Sequence, residues 1–534
     1  MALYKKAKLI RERLDRLHLK KSIQERLIRL KSKIHSILEP SSFHYSFDST
    51  TMGEVPEYKY VELSTADNAL APRHYMGVTL CFQINNEAKV DAQDVLDYAL
   101  ARLLTRMNVL AGTVSLDPAQ PSNGRLVLRL RKREPLTIPC RTRHLSSEGF
   151  PFTYKELQDK QFPPAAFDKA ILSPFPDAPS AEDQSPVFGM QKNFIDGGLL
   201  LSFCLHHAVG DGYWLRKIVQ FFSFCLLQNF DIEIISAPLR IDEFEASLKL
   251  RNPEKLVKKC DERVIVKEGV SIAISKMIMP DLTTCIFQMP LWLIPSLKEY
   301  IRKSLVTFAP MGAFASTNDC IAAYAWAHMT KARWPPADPL CPYEAQPANH
   351  PKYSKLFIPL DFRNRIQPSF TDKTYIGNAI ITVPAVVEVH TLVGAAYAGQ
   401  DAQGLKCLAE VALAIRQQIL KVDDAFIRQR LELGKSMADI RQLKLDFNPT
   451  TNTNAVFNNL SGFGEGFQWY IPGVPHHKPQ AIRSIQPDHA PGVITALPSA
   501  DGETMDIQIT LTSKEMDLFR EDIGWKRMAD NVIE

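Results

Sequence analysis

The chain of 534 residues has no long apolar run and no paired cysteines. A bilayer-spanning helix needs about 18 consecutive apolar residues, whereas the longest apolar stretches, around residues 199–205 and 221–227, are much shorter. Its nine cysteines are scattered singly, with no CxxC pair and no metal-ligand spacing, and no signal peptide precedes them. We therefore expect a soluble cytoplasmic protein that has neither structural zinc nor disulfides.

Charge of one sign is in little excess, since the net charge is only +4. The excess is local, because residues 1–40 hold twelve Lys/Arg against four Asp/Glu. Apolar residues in this segment recur at spacings of three and four, which predicts an amphipathic helical arm. Two interpretations stay open: contact with an anionic membrane surface or a partner helix, or packing on the protein's own body. Nucleic acid is not an expected partner, because the remainder is slightly acidic and has no known binding motif.

The composition, 45% hydrophobic and 23% charged, suits a globular protein with more than one core. Strand-like and helix-like segments mix along the chain, which predicts the α/β class. Pro-rich segments at residues 173–187 and 335–351 predict long surface loops. The charged segment 243–269 between them predicts a linker between two halves.

One segment, "LSFCLHHAVGDGYWL" at residues 201–215, concentrates chemistry-bearing side chains. The Asp-Gly pair at residues 196–197 predicts a tight hairpin turn before it. His206 and His207 then follow a buried strand, and Asp211 stands where a helix begins, a place where free amides stabilise a carboxylate. A strand-to-helix junction of this kind holds a side chain rigidly.

The HHAVGDG motif resembles the HxxxD signature of the BAHD acyltransferases. The resemblance extends, in the family's order, through "LSTADNALAP" (63–72), which looks like the opening strand, "ASTNDCIAAYAWAHMTKARW" (315–334), "IPLDFRNRIQPSF" and "YIGNAI". Together these segments cover the chain from about residue 60 to its end. The family transfers acyl groups from coenzyme A thioesters to hydroxyls or amines.

The family's DFGWG signature is altered. "DIGWK" at residues 522–526 resembles it but follows the last predicted strand, within a stretch that predicts a helix. The counterpart is expected at residues 458–473, where Trp469 remains while the Asp and the glycine pattern do not. This departure favours similarity to the divergent fungal members over the plant members.

The resemblance implies two pseudo-equivalent α/β domains of the chloramphenicol-acetyltransferase type around a central tunnel. We expect an arm at 1–45, an N-terminal domain at 46–242, a crossover linker at 243–272 and a C-terminal domain at 273–534. The protein is expected to act as a monomer.

The resemblance also implies roles for side chains. His207, at the first position of HxxxD, is expected to be the general base. Asp211 is expected to be structural and to pair with Arg363 or Arg365. A donor to the transition-state oxyanion is expected from one of two neighbouring residues, Asn458 and Asn459.

The co-substrate implied is an acyl-CoA, most simply acetyl-CoA, with a small lipophilic molecule as acceptor. Ser316 and Thr317 are candidates to contact coenzyme A; for both, a plain helix cap with Asp319 stays open. His206 is expected to be a packing neighbour. The remaining histidines singled out, His476, His477 and His489, are expected at the surface and not around a metal.

Two rival functions remain from the sequence. The HHxxxDG motif also marks condensation domains, which share the fold and take acyl groups from carrier-protein thioesters. A scaffold of the same fold that has lost acyl transfer is the other rival, motivated by the altered DFGWG region.

Overall fold

A computed structural model of the chain describes residues 58–131, 136–175, 179, 184–227, 242–266, 281–336, 350–367, 369, 375, 377–448, 453–485, 490–498, 502–529 and 531–534. The predicted arm at 1–45, most of the second Pro-rich loop and His489 lie outside these residues.

The strands of this part of the chain are β1 Tyr58–Glu62, β2 Tyr75–Gln83, β3 Thr113–Leu116, β4 Leu126–Arg131, β5 Cys140–His144, β6 Ser185–Pro186, β7 Phe188–Ile195, β8 Gly198–His206, β9 Arg263–Ile265, β10 Leu282–Pro290, β11 Tyr353–Asp361, β12 Ile380–Glu388, β13 Leu443–Leu445, β14 Asn454–Asn459, β15 Ala481–Ile485, β16 Val493–Leu497, β17 Thr504–Thr512 and β18 Asn531–Ile533. The helices are α1 Thr65–Ala69, α2 Lys89–Arg106, α3 Tyr154–Asp159, α4 Lys169–Leu172, α5 Gly212–Cys225, α6 Asp242–Ser247, α7 Pro253–Val257, α8 Leu293–Phe308, α9 Thr317–Arg333, α10 Val389–Ala395, α11 Ala402–Leu420, α12 Asp424–Ser436, α13 Ser513–Arg520 and α14 Ile523–Lys526.

A five-stranded sheet, ordered β15-β2-β8-β7-β5, carries the HHAVGDG segment. Every residue of β8 is buried, because the strand lies in the middle of the sheet and both of its faces are covered. The predicted hairpin is confirmed: Ile195 pairs with Gly198, and Gly197 takes a positive φ of 70° in the turn. A rigid central strand therefore leads directly to the two histidines.

A seven-stranded sheet, ordered β12-β11-β14-β16-β17-β10-β18, forms the second large core together with α9. Thirteen of the 17 residues of α9 are buried, which identifies it as a core helix. Its alanines allow neighbouring elements to approach closely on all sides.

One strand from the second half of the chain belongs to the five-stranded sheet. β15 follows the seven-stranded sheet's β14 in the chain but pairs with β2 in the five-stranded sheet. Trp469, which is fully buried, packs between Phe82 and Phe222 in the core of the five-stranded sheet. Arg483 of β15 then donates to Asp506 of β17 at 3.0 Å. The fold thus consists of two joined α/β layers, as expected for the class, while the domain bounds given above stay predictions.

Two sequence expectations about loops need correction. The described part of the segment 243–269 is not a bare linker, because Leu248 and Cys260 are buried in it and β9 pairs with β13. The start of the segment 173–187 is not at the surface either: Ser173 is buried, and the Phe175 ring stacks on Tyr75 with centroids 4.1 Å apart. Charge and proline content alone did not reveal these contacts.

The end of the chain is only partly helical. "DIGWK" lies at the start of a short helix, α14, with Asp522 as its N-cap and Trp525 fully buried. The stretch is not one helix, however, because α13 and α14 are followed by β18, which pairs with β10. None of the helices in the described ranges is long and apolar enough to cross a bilayer.

Candidate active site

His207 lies one residue beyond β8, with a half-buried ring. Its backbone N–H donates to the carbonyl of His74 at 2.9 Å, and its carbonyl accepts a hydrogen bond from Asn378 Nδ2 at 2.8 Å. The His74 ring meets the His207 ring edge-on, with centroids 5.2 Å apart. The position of His207 is therefore fixed by its own strand, by the residue before β2 and by the segment before β12.

The ring of His207 is kept neutral at physiological pH. Burial lowers its pKa below the ordinary value of 6.5, while its own backbone carbonyl and the Asn378 side chain oppose that shift. The Nδ1 atom is buried and makes no hydrogen bond to another described residue. A neutral imidazole can accept a proton.

Asp211 is fully buried and faces three donors. Its Oδ2 accepts from Arg363 Nη2 at 2.8 Å and from the backbone N–H of Ala379 at 3.0 Å. Its Oδ1 accepts from the N–H of Trp214 at 3.2 Å, which makes Asp211 the N-cap of α5. The carboxylate thus ties the His207 loop to the second sheet.

Arg363 spans several elements around that contact. Its Nη2 also donates to the carbonyl of Gly377 at 3.0 Å, its Nη1 donates to Asp361 at 3.1 Å, and its guanidinium lies 4.5 Å from the ring centre of Tyr213. Burial lowers the pKa of Arg363, but the carboxylates of Asp211 and Asp361 outweigh it and the pKa is raised. The guanidinium is therefore permanently charged where Asp211 needs a cation.

Arg365, the other sequence candidate for this pairing, lies elsewhere. Its Nη1 donates to the carbonyls of Ile419 and Val422 at 2.8 and 3.1 Å, at the C-terminal end of α11. A cation at that end satisfies free helix carbonyls. Of the two arginines, the structure brings only Arg363 to Asp211.

The oxyanion candidates lie at the end of β14. Asn459 is exposed, donates to Asn318 Oδ1 at 2.8 Å and accepts from Ser461. Asn458 is half-buried beside it. Leu460, the next residue, lies against Gly212: a Cβ at Gly212 would be 3.8 Å from its Cδ2. The end of β14 therefore adjoins the start of α5.

Ser316 and Thr317 stand at the start of α9. Ser316 is its N-cap, with its Oγ accepting from Asp319 N at 3.2 Å and its own N–H donating to Asp319 Oδ2 at 2.6 Å. This is the capping box that the sequence left open as an alternative. Asp319 is paired in turn with Arg416, whose Nε donates at 2.7 Å.

His206 has a different environment from its neighbour. It is buried, its Nδ1 accepts from the N–H of Ala208 at 3.2 Å, and Tyr75 meets it edge-on. Burial, with smaller electrostatic effects of His207, His74 and Arg73, lowers its pKa to about 3. The ring is a neutral packing and hydrogen-bonding element.

The other histidines gather no metal-binding set. His477 Nδ1 lies 3.2 Å from the carbonyl of Trp469, and His476 adopts a positive φ of 59° beside it. Over the ranges that the structure describes, no three His, Cys, Asp or Glu side chains are arranged to hold a metal ion.

The sequence missed one part of the site. "LSTADNALAP" does not continue as a strand: residues 65–69 form α1, capped by a box between Ser64 and Asp67. The Ser-x-x-Asp spacing was the available signal for a helix start. Asp67 accepts two hydrogen bonds from Asn378, whose side chain also holds His207. The Asn of "YIGNAI" was noted in the sequence, but its contact with Asp67 was not foreseen.

Comparisons with known proteins show sequence similarity to fungal O-acetyltransferases. Residues 74–225, which include the whole HHAVGDG loop, match the family model of the trichothecene 3-O-acetyltransferase-like N-terminal domain. The eremophilane O-acetyltransferase prx11 of Penicillium rubens is 23% identical over 409 residues, which are 71% of this chain and 80% of that protein. The eremophilane O-acetyltransferase ORF8 of Penicillium roqueforti is 25% identical over 59% of this chain and 69% of that protein.

Solved structures agree in fold. F. graminearum TRI101, complexed with coenzyme A and T-2 mycotoxin, superposes with a TM-score of 0.67 at 18% identity and covers 89% of this chain and 100% of that one. Vinorine synthase superposes with a TM-score of 0.52 at 12% identity over 88% of this chain and 93% of that one. Both share the two-domain chloramphenicol-acetyltransferase-like architecture. By these similarities the chain is an acyltransferase, and its residues 74–225 match the trichothecene 3-O-acetyltransferase-like N-terminal domain.

Proposed function

We propose that this enzyme transfers an acetyl group from acetyl-CoA to a hydroxyl of a small lipophilic natural product. The observation that carries the proposal is the environment of His207. Its imidazole is neutral and is fixed at the end of a buried strand, and the carboxylate of Asp211 in the same loop is hydrogen-bonded to Arg363. The names of the curated relatives, two of which are eremophilane O-acetyltransferases, support the reaction and the acceptor class.

His207 acts as the general base. Because its Nδ1 is buried, we assign proton transfer to Nε2. This nitrogen takes the proton of the acceptor hydroxyl while the oxygen attacks the thioester carbonyl carbon. The tetrahedral intermediate then expels the coenzyme A thiolate as the C–S bond breaks, and the thiolate recovers the proton from the imidazolium.

Asp211 is a positioning residue in this proposal. All three of its hydrogen bonds come from groups of the protein, which leaves it no role in proton transfer. Its pairing with Arg363 fixes the loop between His207 and α5. Removal of one partner would leave the other charge buried and unpaired, so loss of either side chain is expected to destabilise the protein.

The oxyanion donor we favour is Asn458. The amide of Asn459 is engaged with Asn318 and Ser461, whereas Asn458 lies on the more buried side of the strand end. An amide N–H directed at the developing negative charge stabilises the transition state more than the ground state.

Coenzyme A would be held in part by the start of α9. The Ser316 side chain is committed to its capping box, so we assign the contact to the free backbone N–H groups of the first turn and to Thr317. The only chemistry the co-substrate supplies is an activated acyl group.

The test is product formation with isotopically labelled acetyl-CoA. The purified protein is incubated with a panel of hydroxylated eremophilanes and trichothecene alcohols, and acetylated products are identified by mass spectrometry. A parallel reaction supplies the acetyl group on a carrier-protein thioester. We expect a product from acetyl-CoA with at least one alcohol. Transfer from the carrier thioester alone would favour the condensation-domain alternative, and no transfer from either donor would favour the non-catalytic one.

A further inference from the structure

Asp67 of α1 lies fully within the protein, and its carboxylate accepts four hydrogen bonds. Oδ1 accepts from the backbone N–H and the Nδ2 of Asn378 at 2.7 and 2.8 Å. Oδ2 accepts from the backbone N–H and the Oγ of Ser64 at 3.0 and 2.7 Å. Ser64 is a close neighbour of Asp67 in the chain, whereas Asn378 lies 311 residues from Asp67, in the second half of the chain.

The Asn378 side chain has a second partner. Its Nδ2 donates to the carbonyl of His207 at 2.8 Å as well as to Asp67. The Oδ1 of the same amide is buried and makes no hydrogen bond of ordinary geometry to a described residue, although the Asn378 side chain also interacts with the His207 ring. A buried unpaired acceptor is unfavourable, so another force must hold the amide in this orientation.

The Asp67 carboxylate supplies that force. Rotating the amide by half a turn would place Oδ1 against the Asp67 carboxylate and against the His207 carbonyl, and each contact would join two acceptors. An ionised Asp67 therefore acts together with the His207 carbonyl to fix the orientation of the amide. A protonated Asp67 could donate to Oδ1, and that constraint on the amide would be lost.

We propose that Asp67 is a positioning residue for His207, which acts by orienting the Asn378 amide that holds the backbone of the base. This inference rests on the proposed function, since it assigns His207 as the base. It requires Asp67 to be ionised when the enzyme works.

The surroundings of Asp67 support a change in its protonation within the pH range in which the enzyme works. Burial raises the pKa of Asp67 to about 6, against the lowering effect of its hydrogen bonds from Asn378 and Ser64. Four titratable or charged groups from neighbouring elements lie around it. The Tyr375 hydroxyl donates to Ser64, and Glu245 of α6 accepts from Thr65. Lys435 of α12 donates to the Glu245 carbonyl, and Arg363 lies near the Tyr375 ring. The Asp67 carboxylate is therefore ionised above about pH 6, and its positioning effect is lost as the pH falls through that value.

The test compares Asp67→Asn with a matched control on the same helix. Asn68→Ala removes buried hydrogen bonds of α1 to Leu126 and Leu63 without touching Asn378. We expect Asp67→Asn to lower kcat by roughly 10- to 100-fold with KM for acetyl-CoA little changed, since a misplaced base costs rate. Asn68→Ala should lower the melting temperature but keep kcat. Equal effects of both changes on kcat would reduce Asp67 to a structural role.

A double-mutant cycle with Asn378→Ala separates the pathway from general damage. If Asp67 acts through Asn378, adding Asp67→Asn to Asn378→Ala should change kcat by less than about two-fold, because the shared interaction is already gone. Full additivity of the two losses would contradict the proposal.

A further readout needs no turnover. In protein labelled with carbon-13 at histidine Cε1, the His207 resonance is assigned by its absence in His207→Ala. We expect its pH titration to contain a component centred near pH 6 that Asp67→Asn lacks. An identical titration in both proteins would overturn the coupling. The proposed function would fail differently, through absence of acetyl transfer or its persistence in His207→Ala.

Discussion

Arg363 Nη2 donates to Asp211 Oδ2 at 2.8 Å across 152 residues of sequence, and both side chains are almost completely buried. The pair joins the loop after β8 to the end of β11, so the loop that carries His207 is held by both sheets. A buried ion pair is weak evidence for stability in itself. Here its geometry indicates a positioning function.

The Arg363–Asp211 pair predicts how substitutions at either residue change stability and rate. Asp211→Ala should destabilise the protein by about 3 to 5 kcal/mol and lower the rate, because it leaves Arg363 buried without its partner. Asp211→Asn should keep the cap on Trp214 and lose less stability. Arg365→Ala is the matched control, since Arg365 contacts α11 and not Asp211. Chemical unfolding and acetyl transfer measured on these three variants and on Arg363→Ala would check this, and equal rate losses in Arg363→Ala and Arg365→Ala would contradict it.

His206 predicts a pH dependence of stability. Its pKa of about 3 in the folded protein lies below the ordinary 6.5 of the unfolded chain, so protonation favours unfolding. Its contribution is intact above pH 6.5 and is lost as the pH falls toward 3, by about 1.4 kcal/mol for each pH unit. His206→Gln should show a shallower fall of unfolding free energy between pH 6.5 and 4.5. Parallel curves for the two proteins would show that His206 does not titrate in this way.

The two asparagines at the end of β14 predict unequal effects. Asn458→Ala should lower kcat by on the order of 100-fold if it supplies an oxyanion donor. Asn459→Ala should have a small effect on kcat, because its amide contacts Asn318 and Ser461. Steady-state kinetics with saturating acetyl-CoA would distinguish them. A larger loss in Asn459→Ala would reverse the assignment.

The basic segment at residues 1–40 predicts a separable role. Deletion of residues 1–45 should leave acetyl transfer to a dissolved acceptor within about two-fold of the full chain, since every site residue assigned here lies beyond it. Sedimentation with anionic vesicles, compared between the two proteins, would then decide between membrane contact and packing on the body. Loss of turnover in a folded truncated protein would place the segment in the active site.

Local signals predicted much of the site. The Asp-Gly turn, the capping Asp211 and the capping box at Ser316 each depend on residues within four positions, and the structure has all three. The choice between Arg363 and Arg365 could not be made from sequence, because both stand in one motif and only the chain path decides which one faces Asp211.

Long-range contacts were not predictable in this way. Asp67 and Asn378 are 311 residues apart, and nothing local in either segment indicates the other. The return of β15 to the first sheet depends likewise on pairing with β2, which lies far away in the chain. The mistaken strand at "LSTADNALAP" came from weighing the family pattern above the Ser-x-x-Asp helix signal.

The central claim is that His207, and not His206, takes the proton of the acceptor. The most direct measurement is single-turnover acetyl transfer from acetyl-CoA by His207→Ala and His206→Ala, with folding and coenzyme A binding verified for each. We predict a loss of roughly 10²- to 10⁴-fold for His207→Ala, the usual contribution of a positioned base, and a much smaller loss for His206→Ala. Near-normal transfer by His207→Ala, or a greater loss in His206→Ala, would contradict the account.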